Sequence, residues 1–309
     1  MAQMLKILPH TLVFVSLFIC SISISHADTP EDDNSVDIKL QKALDLPPAN
    51  EKTALSQRLA AESRAEDDPY SLILYKPTYF LPFYYTQSPY QSVYDHDTPF
   101  DQKVMSEEFK GQISFQAPLV YQAFGPKNTL SLGYTQLSYW QVYADSQYFR
   151  ETDYEPEIFF SHVQTNYFNW KIGLEHQSNG RGGYQERSWN RVYGAANISG
   201  ANWLLTFQPW VLIFMTDSSQ VPNPDITHFM GNGEESFAYK VNNLTISVMV
   251  RNNLESHFAR GAEEVDFTFP LTTHFRGFVQ FFSGYGQSLI EYNHYTNGVG
   301  IGFALNAPI

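Results

Sequence analysis

Cysteine is almost missing from this chain: among 309 residues there is one, Cys20. It falls in a leader segment, so the mature protein has no disulfide to hold it, unlike many secreted domains of its size. Long apolar runs are missing too. Beyond residue 24 no stretch approaches the ~20 apolar residues that a spanning helix needs. Basic residues are scarce, 19 against 32 acidic ones, and the net charge of −13 argues against a nucleic-acid partner. Aromatic residues are absent between positions 28 and 69, yet Phe, Trp and Tyr make up 16% of the whole chain. The remainder is therefore crowded with them. Transmembrane β-barrels have this profile, because only alternate residues face lipid and aromatics gather in belts at both interfaces.

The first 27 residues read as a secretory signal peptide. Lys6 supplies the positive charge, residues 12–24 the apolar core, and Ser25-His26-Ala27 a small-residue site for cleavage before Asp28. A single transmembrane anchor is the alternative, but the run is short and broken by serines. Ile19 is too bulky to make Cys20 a lipoprotein site. Residues 28–69 are acidic and rich in Ala, Gln and Pro. Pieces 36–46 and 52–66 are expected as short helices around Pro47-Pro48, in a solvated periplasmic tail.

From residue 70 to 309 the texture is short alternating segments. Leu244, Ile246, Val248 and Val250 take one face, against Thr245, Ser247, Met249 and Arg251. Val265, Phe267, Phe269 and Leu271 oppose Glu264, Asp266 and Thr268, and Trp203, Leu205, Phe207, Pro209 and Val211 repeat the pattern. Period two with one apolar face is the strand signature. Twelve such segments start near Tyr79, Phe109, Thr129, Glu155, Trp170, Arg187, Trp203, Glu235, Leu244, Ala262, His274 and Gly298. An even number suits a closed antiparallel barrel with both ends in the periplasm. A soluble β-sandwich alternates as well. The leader, the missing disulfides and the aromatic load favour the all-β, twelve-stranded transmembrane barrel of the outer membrane.

Chemistry concentrates in Glu175-His176-Gln177-Ser178-Asn179-Gly180-Arg181. On a strand Ile172, Leu174, His176 and Ser178 share the apolar face, with the last two ~7 Å apart at Cα, from a rise of ~3.3 Å per residue. An imidazole can reach a serine hydroxyl across that separation. A polar pair beside lipid is costly unless it performs a task. Through a hairpin, Asn190 on the next strand comes beside His176, where it would accept the imidazole N–H and fix its tautomer. His176 would then take the proton of Ser178 as the hydroxyl attacks an ester. Of nine histidines, only His176 is followed at two residues by Ser. His96 has Thr98 at that spacing, in a loop-like stretch. On spacing alone, a histidine of the interfacial belt stands beside the catalytic reading.

That motif, followed by Arg187-Ser188-Trp189-Asn190-Arg191, resembles the signature of the bacterial outer membrane phospholipase A family. Tyr134-Thr135-Gln136, Arg150-Glu151-Thr152-Asp153-Tyr154-Glu155-Pro156, Asn223-Pro224-Asp225-Ile226-Thr227 and Ser283-Gly284-Tyr285-Gly286-Gln287-Ser288-Leu289-Ile290 agree with it. The resemblance implies a twelve-stranded barrel that hydrolyses acyl esters of phospholipids and lysophospholipids as a calcium-bound homodimer. It implies Ser178 as nucleophile, His176 as base, Asn190 as its orienter, and the Gly180 N–H with calcium or its water at the oxyanion. Calcium would take the Arg181 carbonyl, a side chain at position 186, and Ser146 from the partner subunit. Here position 186 is Glu where the family has a hydroxyl, and an acidic position is replaced by Gly183. Glu186 is a good hard-oxygen ligand with altered geometry. Gln136 shares the lipid face with Leu130, Leu132 and Tyr134, its amide lacking an evident partner. It is either an interface residue or, as the resemblance implies, a hydrogen-bonding group across the dimer. The chain ends in Ile309 where such barrels commonly end in Phe, and Phe303 would carry part of that assembly signal.

Two rival readings remain. Some outer-membrane barrels use a similar His–Ser pair to deacylate lipid A, and a porin would need a long infolded loop with constriction charges, which nothing in the sequence marks.

Overall fold

Alternation of this kind leaves each strand with one face for lipid and one for a polar interior, and closing the sheet is the only way to satisfy every backbone group in a bilayer. The computed structural model describes residues 52–64, 72–213, 223–253 and 255–309, apart from the side chains of 61–64 and 252. The leader and residues 28–51 lie outside them. Thirteen strands form one sheet: β1 (Ile73–Leu74), β2 (Tyr79–Thr86), β3 (Glu107–Tyr121), β4 (Asn128–Trp140), β5 (Phe149–Val163), β6 (Phe168–Ser178), β7 (Ser188–Ser199), β8 (Trp203–Leu212), β9 (Gly233–Val241), β10 (Leu244–Asn252), β11 (Gly261–Pro270), β12 (Arg276–Tyr285) and β13 (Tyr295–Ala304). Each of β2 to β13 pairs antiparallel with its sequence neighbours, and β13 pairs with β2, so twelve strands close into a barrel. The two-residue β1 is an extra strand beside β3, pairing Ile73 with Gln116. At Pro82-Phe83 a bulge interrupts the β2–β3 register, which keeps a residue without an N–H out of the ladder.

All twelve expected segments are present. One begins earlier than its pattern suggested: β5 starts at Phe149, not near Glu155. Its first residues include Arg150, Glu151 and Asp153, all buried; a register shift opposite Tyr139 and Trp140 lets the neighbours Arg150 and Glu151 both face inward, so the alternation breaks there.

The two faces differ sharply. Outside, Ile172 and Leu174 are 52% and 48% exposed. Inside, Arg150 lies within 2.7 Å and 2.8 Å of the two Glu108 carboxylate oxygens and 3.1 Å from Glu291. Lys110 donates to Gln280 at 2.6 Å. Buried charges persist only when paired and hydrogen-bonded in this way. Aromatic clusters fill space between them: Trp189, Tyr193 and Trp210 in one, Tyr79, Tyr84, Tyr139 and Phe278 in another. A cavity of about 670 Å³ remains in the lumen, lined by Lys76, Lys110, Glu155, Arg251 and Asp266 among others.

A segment packs at each end of the lumen. The short loop 286–294 tucks into one mouth. Its Leu289 and Ile290 N–H groups donate to Asp153 (3.0 Å) and Glu151 (3.2 Å). At the other end lies helix α1 (Ala54–Arg64). Thr53 and Ser56 cap each other reciprocally at 2.8 Å and 2.9 Å. The Ala54 and Leu55 N–H groups donate to Gly200 and Ser199, and Leu55, Arg58 and Leu59 line the cavity. The expected solvated tail therefore does not extend through this helix, whose Thr53, Ala54 and Leu55 are buried.

Candidate active site

Pairing between β6 and β7 places His176 opposite Asn190 and Ser178 opposite Ser188. His176, Ser178 and Asn190 are half-buried and share the outer face with Ile172 and Leu174. His176 Nδ1 lies 2.8 Å from Asn190 Oδ1. Since a carboxamide oxygen only accepts, the imidazole carries its proton on Nδ1 and offers the Nε2 lone pair. The Ser178 hydroxyl has no hydrogen-bond partner among the described residues. The structure thus joins His176 to Asn190 and sets Ser178 one step along the same face, without closing the Ser–His bond.

The adjacent strand shapes the other side. Tyr154 pairs with Ser178 and Glu157 with Glu175, which puts Pro156 across from His176, where its missing N–H interrupts the ladder. Tyr154 also pairs with Gln136 on β4. Gln136, Tyr154, Ser178 and Ser188 therefore form one row across four strands on the outer wall. The Gln136 amide is not without partners, as the sequence suggested. Tyr134 donates to its Oε1 at 2.9 Å, and its Nε2 donates to Ser138 at 3.2 Å. Side chains two apart on one strand face supplied partners that a search across strands overlooks.

Beyond Ser178 the chain turns at Gly180, φ +64°, where a Cβ would sit 3.2 Å from the Tyr154 ring. Glycine alone takes this backbone readily. The Gly180 N–H donates to no acceptor among the described residues.

Asn179, inward-facing and buried, holds the loop 179–187 together. Its Oδ1 accepts from the Arg181 and Arg187 N–H groups at 3.3 Å and 3.0 Å, and its Nδ2 donates to Glu151 and to the Gln185 carbonyl. Arg181 is drawn down by Glu151 at 3.0 Å and Gln185 at 2.6 Å. Its main-chain carbonyl, the Glu186 carboxylate and the Ser146 hydroxyl accept no hydrogen bond among the described residues. These three groups are uncommitted hard-oxygen donors among the described residues. No group of three or more His, Cys, Asp or Glu side chains gathers for a metal among the described residues.

Two positioning groups were not foreseen. Asn223 is fully buried and clamps Ser188 at both main-chain atoms, 3.1 Å to N and 3.0 Å to O. It fixes the start of β7 opposite Ser178. Asp225 accepts from Tyr292 at 2.6 Å, and burial followed by that bond pushes the Tyr292 hydroxyl above its ordinary pKa. Asn223 and Asp225 stood in a motif shared with the family, but their long-range contacts leave no mark on local sequence. None of His176, Ser178 and Asn190 lines the lumen cavity.

Comparison with known proteins agrees with this geometry. The family described as phospholipase A1 matches residues 55–305. The phospholipase A1 of Escherichia coli K12 is 34% identical over an alignment of 251 residues that covers 78% of this chain and 83% of that one. The structure of outer membrane phospholipase A from Escherichia coli superposes with a TM-score of 0.75 at 31% identity, covering 83% of this chain and 100% of that chain. The Salmonella typhi outer membrane phospholipase, solved as a dimer with bound calcium, gives a TM-score of 0.72 at 32% identity over 78% of this chain and 94% of that one. The barrel, its outward-facing residues and a match spanning the whole strand ring lead to one conclusion: the chain belongs to the phospholipase A1 family of outer-membrane ester hydrolases.

Proposed function

We propose that this phospholipase cleaves acyl esters of phospholipids and lysophospholipids at its lipid-facing wall, with Ser178 as nucleophile, His176 as base and Asn190 as orienter. The 2.8 Å bond from His176 Nδ1 to Asn190 Oδ1 carries the reading, because it frees Nε2 for the Ser178 proton. The hydroxyl turns onto Nε2 as an ester carbonyl arrives, since such bonds often tighten only with substrate present. Ser178 Oγ attacks the carbonyl and its proton passes to Nε2. The imidazolium then protonates the departing alcohol, a lysolipid when the substrate is a diacyl lipid. Water, deprotonated by the same nitrogen, releases the fatty acid. A neutral orienter suits this setting, because a carboxylate beside lipid would cost more to desolvate. The unpaired Gly180 N–H is available to the developing oxyanion.

The uncommitted oxygens of Arg181 and Glu186, with Ser146 from a second copy, fit a hard cation. In this reading they hold calcium and the active form is a homodimer, as in the calcium-bound Salmonella typhi dimer. Calcium, when bound, supplies positive charge near the oxyanion. Gln136, on the row that runs to Ser178, belongs to the dimer contact, with the second N–H of its amide left for the partner.

The test is fatty-acid release from phosphatidylethanolamine in detergent, with and without calcium, for wild type and Ser178→Ala. Calcium-dependent release abolished in the variant, with the folded barrel's gel migration retained, is expected. Unchanged release by Ser178→Ala would remove the assignment, and release from lipopolysaccharide instead would point to lipid A as substrate.

A further inference from the structure

The loop 87–106 between β2 and β3 touches both regions that the calcium reading assigns to different ions of a dimer. At one end the Gln185 Nε2 donates to the Val93 carbonyl at 2.8 Å, and Tyr184 donates to Asp97. Gln185 also accepts from Arg181, so Val93 is one side chain removed from the residue whose carbonyl would bind the ion. At the other end Gln102 grips the main chain of Ser146 twice: Nε2 donates to its carbonyl at 2.6 Å, and the Ser146 N–H donates to Oε1 at 3.3 Å. The Ser146 hydroxyl stays free of both contacts.

The loop between these ends is braced. Tyr94, 1% exposed, stands against Arg150, whose Nη1 donates to its hydroxyl at 2.8 Å. Gln91 accepts from the Val104 N–H at 3.0 Å, and Thr98 donates to the Gln102 carbonyl at 2.6 Å. A segment tied at this many points moves as a unit.

In a two-fold dimer each chain's Ser146 serves the ion held by the other chain, because an isologous contact is reciprocal. We propose that loop 87–106 is a strap joining the two calcium half-sites of one chain, with Gln102 as the residue that positions Ser146. The inference rests on the calcium reading above. An ion that orders loop 179–187 thereby presets Ser146 for the opposite site, and the two sites of the dimer fill together. Gln102 never meets the ion; it acts through the Ser146 backbone. Coupling of this kind is a free energy shared between sites and is measured by its failure to add.

Calcium-dependent cross-linking of the full-length protein in detergent reads the strap without using activity. Wild type, Ser146→Ala, Gln102→Ala, Gln185→Ala and the Gln102→Ala/Gln185→Ala double variant would be titrated, each checked for the heat-modified migration of a folded barrel. Gln102→Ala should raise the calcium midpoint about three- to tenfold, the range expected from losing one or two hydrogen bonds. The double variant should shift the midpoint by less than the product of the two single shifts, since either break releases the strap. Wild-type cross-linking should rise more steeply with calcium than that of Gln102→Ala. A shifted Ser146→Ala beside an unshifted Gln102→Ala would overturn the strap and leave the calcium reading standing, as would fully multiplicative single shifts. A silent Ser146→Ala would overturn the calcium reading, and the strap with it.

Discussion

Arg150 and His176 lie on neighbouring strands, β5 and β6, and point to opposite sides of the barrel wall. Arg150 faces the lumen and is bound by Glu108, Glu291 and Tyr94. His176 faces outward among exposed aliphatic residues and has one side-chain partner among the described residues, Asn190. The lumen holds a dense network of buried charges and amides, many of them paired with one another. The outer wall is richer in apolar side chains, and the row of Gln136, Tyr154, Ser178 and Ser188, with His176 and Asn190 beside it, carries the polar groups that the proposed chemistry uses. On the proposed reading, the paired charges inside this barrel serve stability and the polar row outside serves catalysis.

Substitutions on the two sides should therefore fail in different ways. His176→Ala is expected to lower phospholipid hydrolysis by about 10²- to 10⁴-fold, the usual contribution of a general base, with no change in the urea midpoint of the folded barrel. Arg150→Ala should do the reverse and destabilise the barrel by about 3–5 kcal/mol, because two carboxylates lose their buried partner. Equilibrium unfolding in detergent and esterase assays on both variants sharpen the contrast. A His176→Ala protein that unfolds early would break it.

Asn190→Ala tests how far the wall depends on orientation alone. Without its acceptor the imidazole loses a preferred tautomer but keeps its base, so activity should fall about 10- to 100-fold, less than for His176→Ala. Equal and complete loss in both would assign Asn190 a structural role in the β6–β7 pair.

This division of labour was largely legible in the sequence where period two operates. The strands of Leu244, Val265 and Trp203 have the faces that alternation predicted, and His176, Ser178 and Asn190 share the wall they were expected to share. Legibility failed where the contact is long-range or lies along one strand. A register shift that turns both Arg150 and Glu151 inward hid the first six residues of β5. Gln136 found its partners two residues away in Tyr134 and Ser138, not across the sheet. Asn179, beside the nucleophile, anchors a loop from inside the barrel, and Asn223 reaches Ser188 from 35 residues away. Helix α1 carries ordinary capping chemistry, but nothing local announces that its first turn docks on the turns around Asn166 and Gly200.

A smaller effect is expected at Glu186, exposed and without a hydrogen-bond partner for its carboxylate among the described residues. Glu186→Ala should raise the calcium needed for activity and for dimer cross-linking about three- to tenfold, as removal of one charged hard-oxygen ligand implies, while the maximal rate at saturating calcium changes little. Titration curves that superimpose on wild type would return Glu186 to the solvated loop surface and leave the wall residues untouched.

The central claim, that Ser178 is the nucleophile and reacts from the lipid-facing side, has a direct measurement. The protein would be treated in detergent with calcium and a long-chain alkyl fluorophosphonate, which phosphonylates an activated serine, and the adduct located by peptide mass spectrometry. The account predicts a single adduct on Ser178, lost in His176→Ala and reduced in Asn190→Ala. An adduct on another serine, or labelling of Ser178 unaffected by His176→Ala, would contradict it.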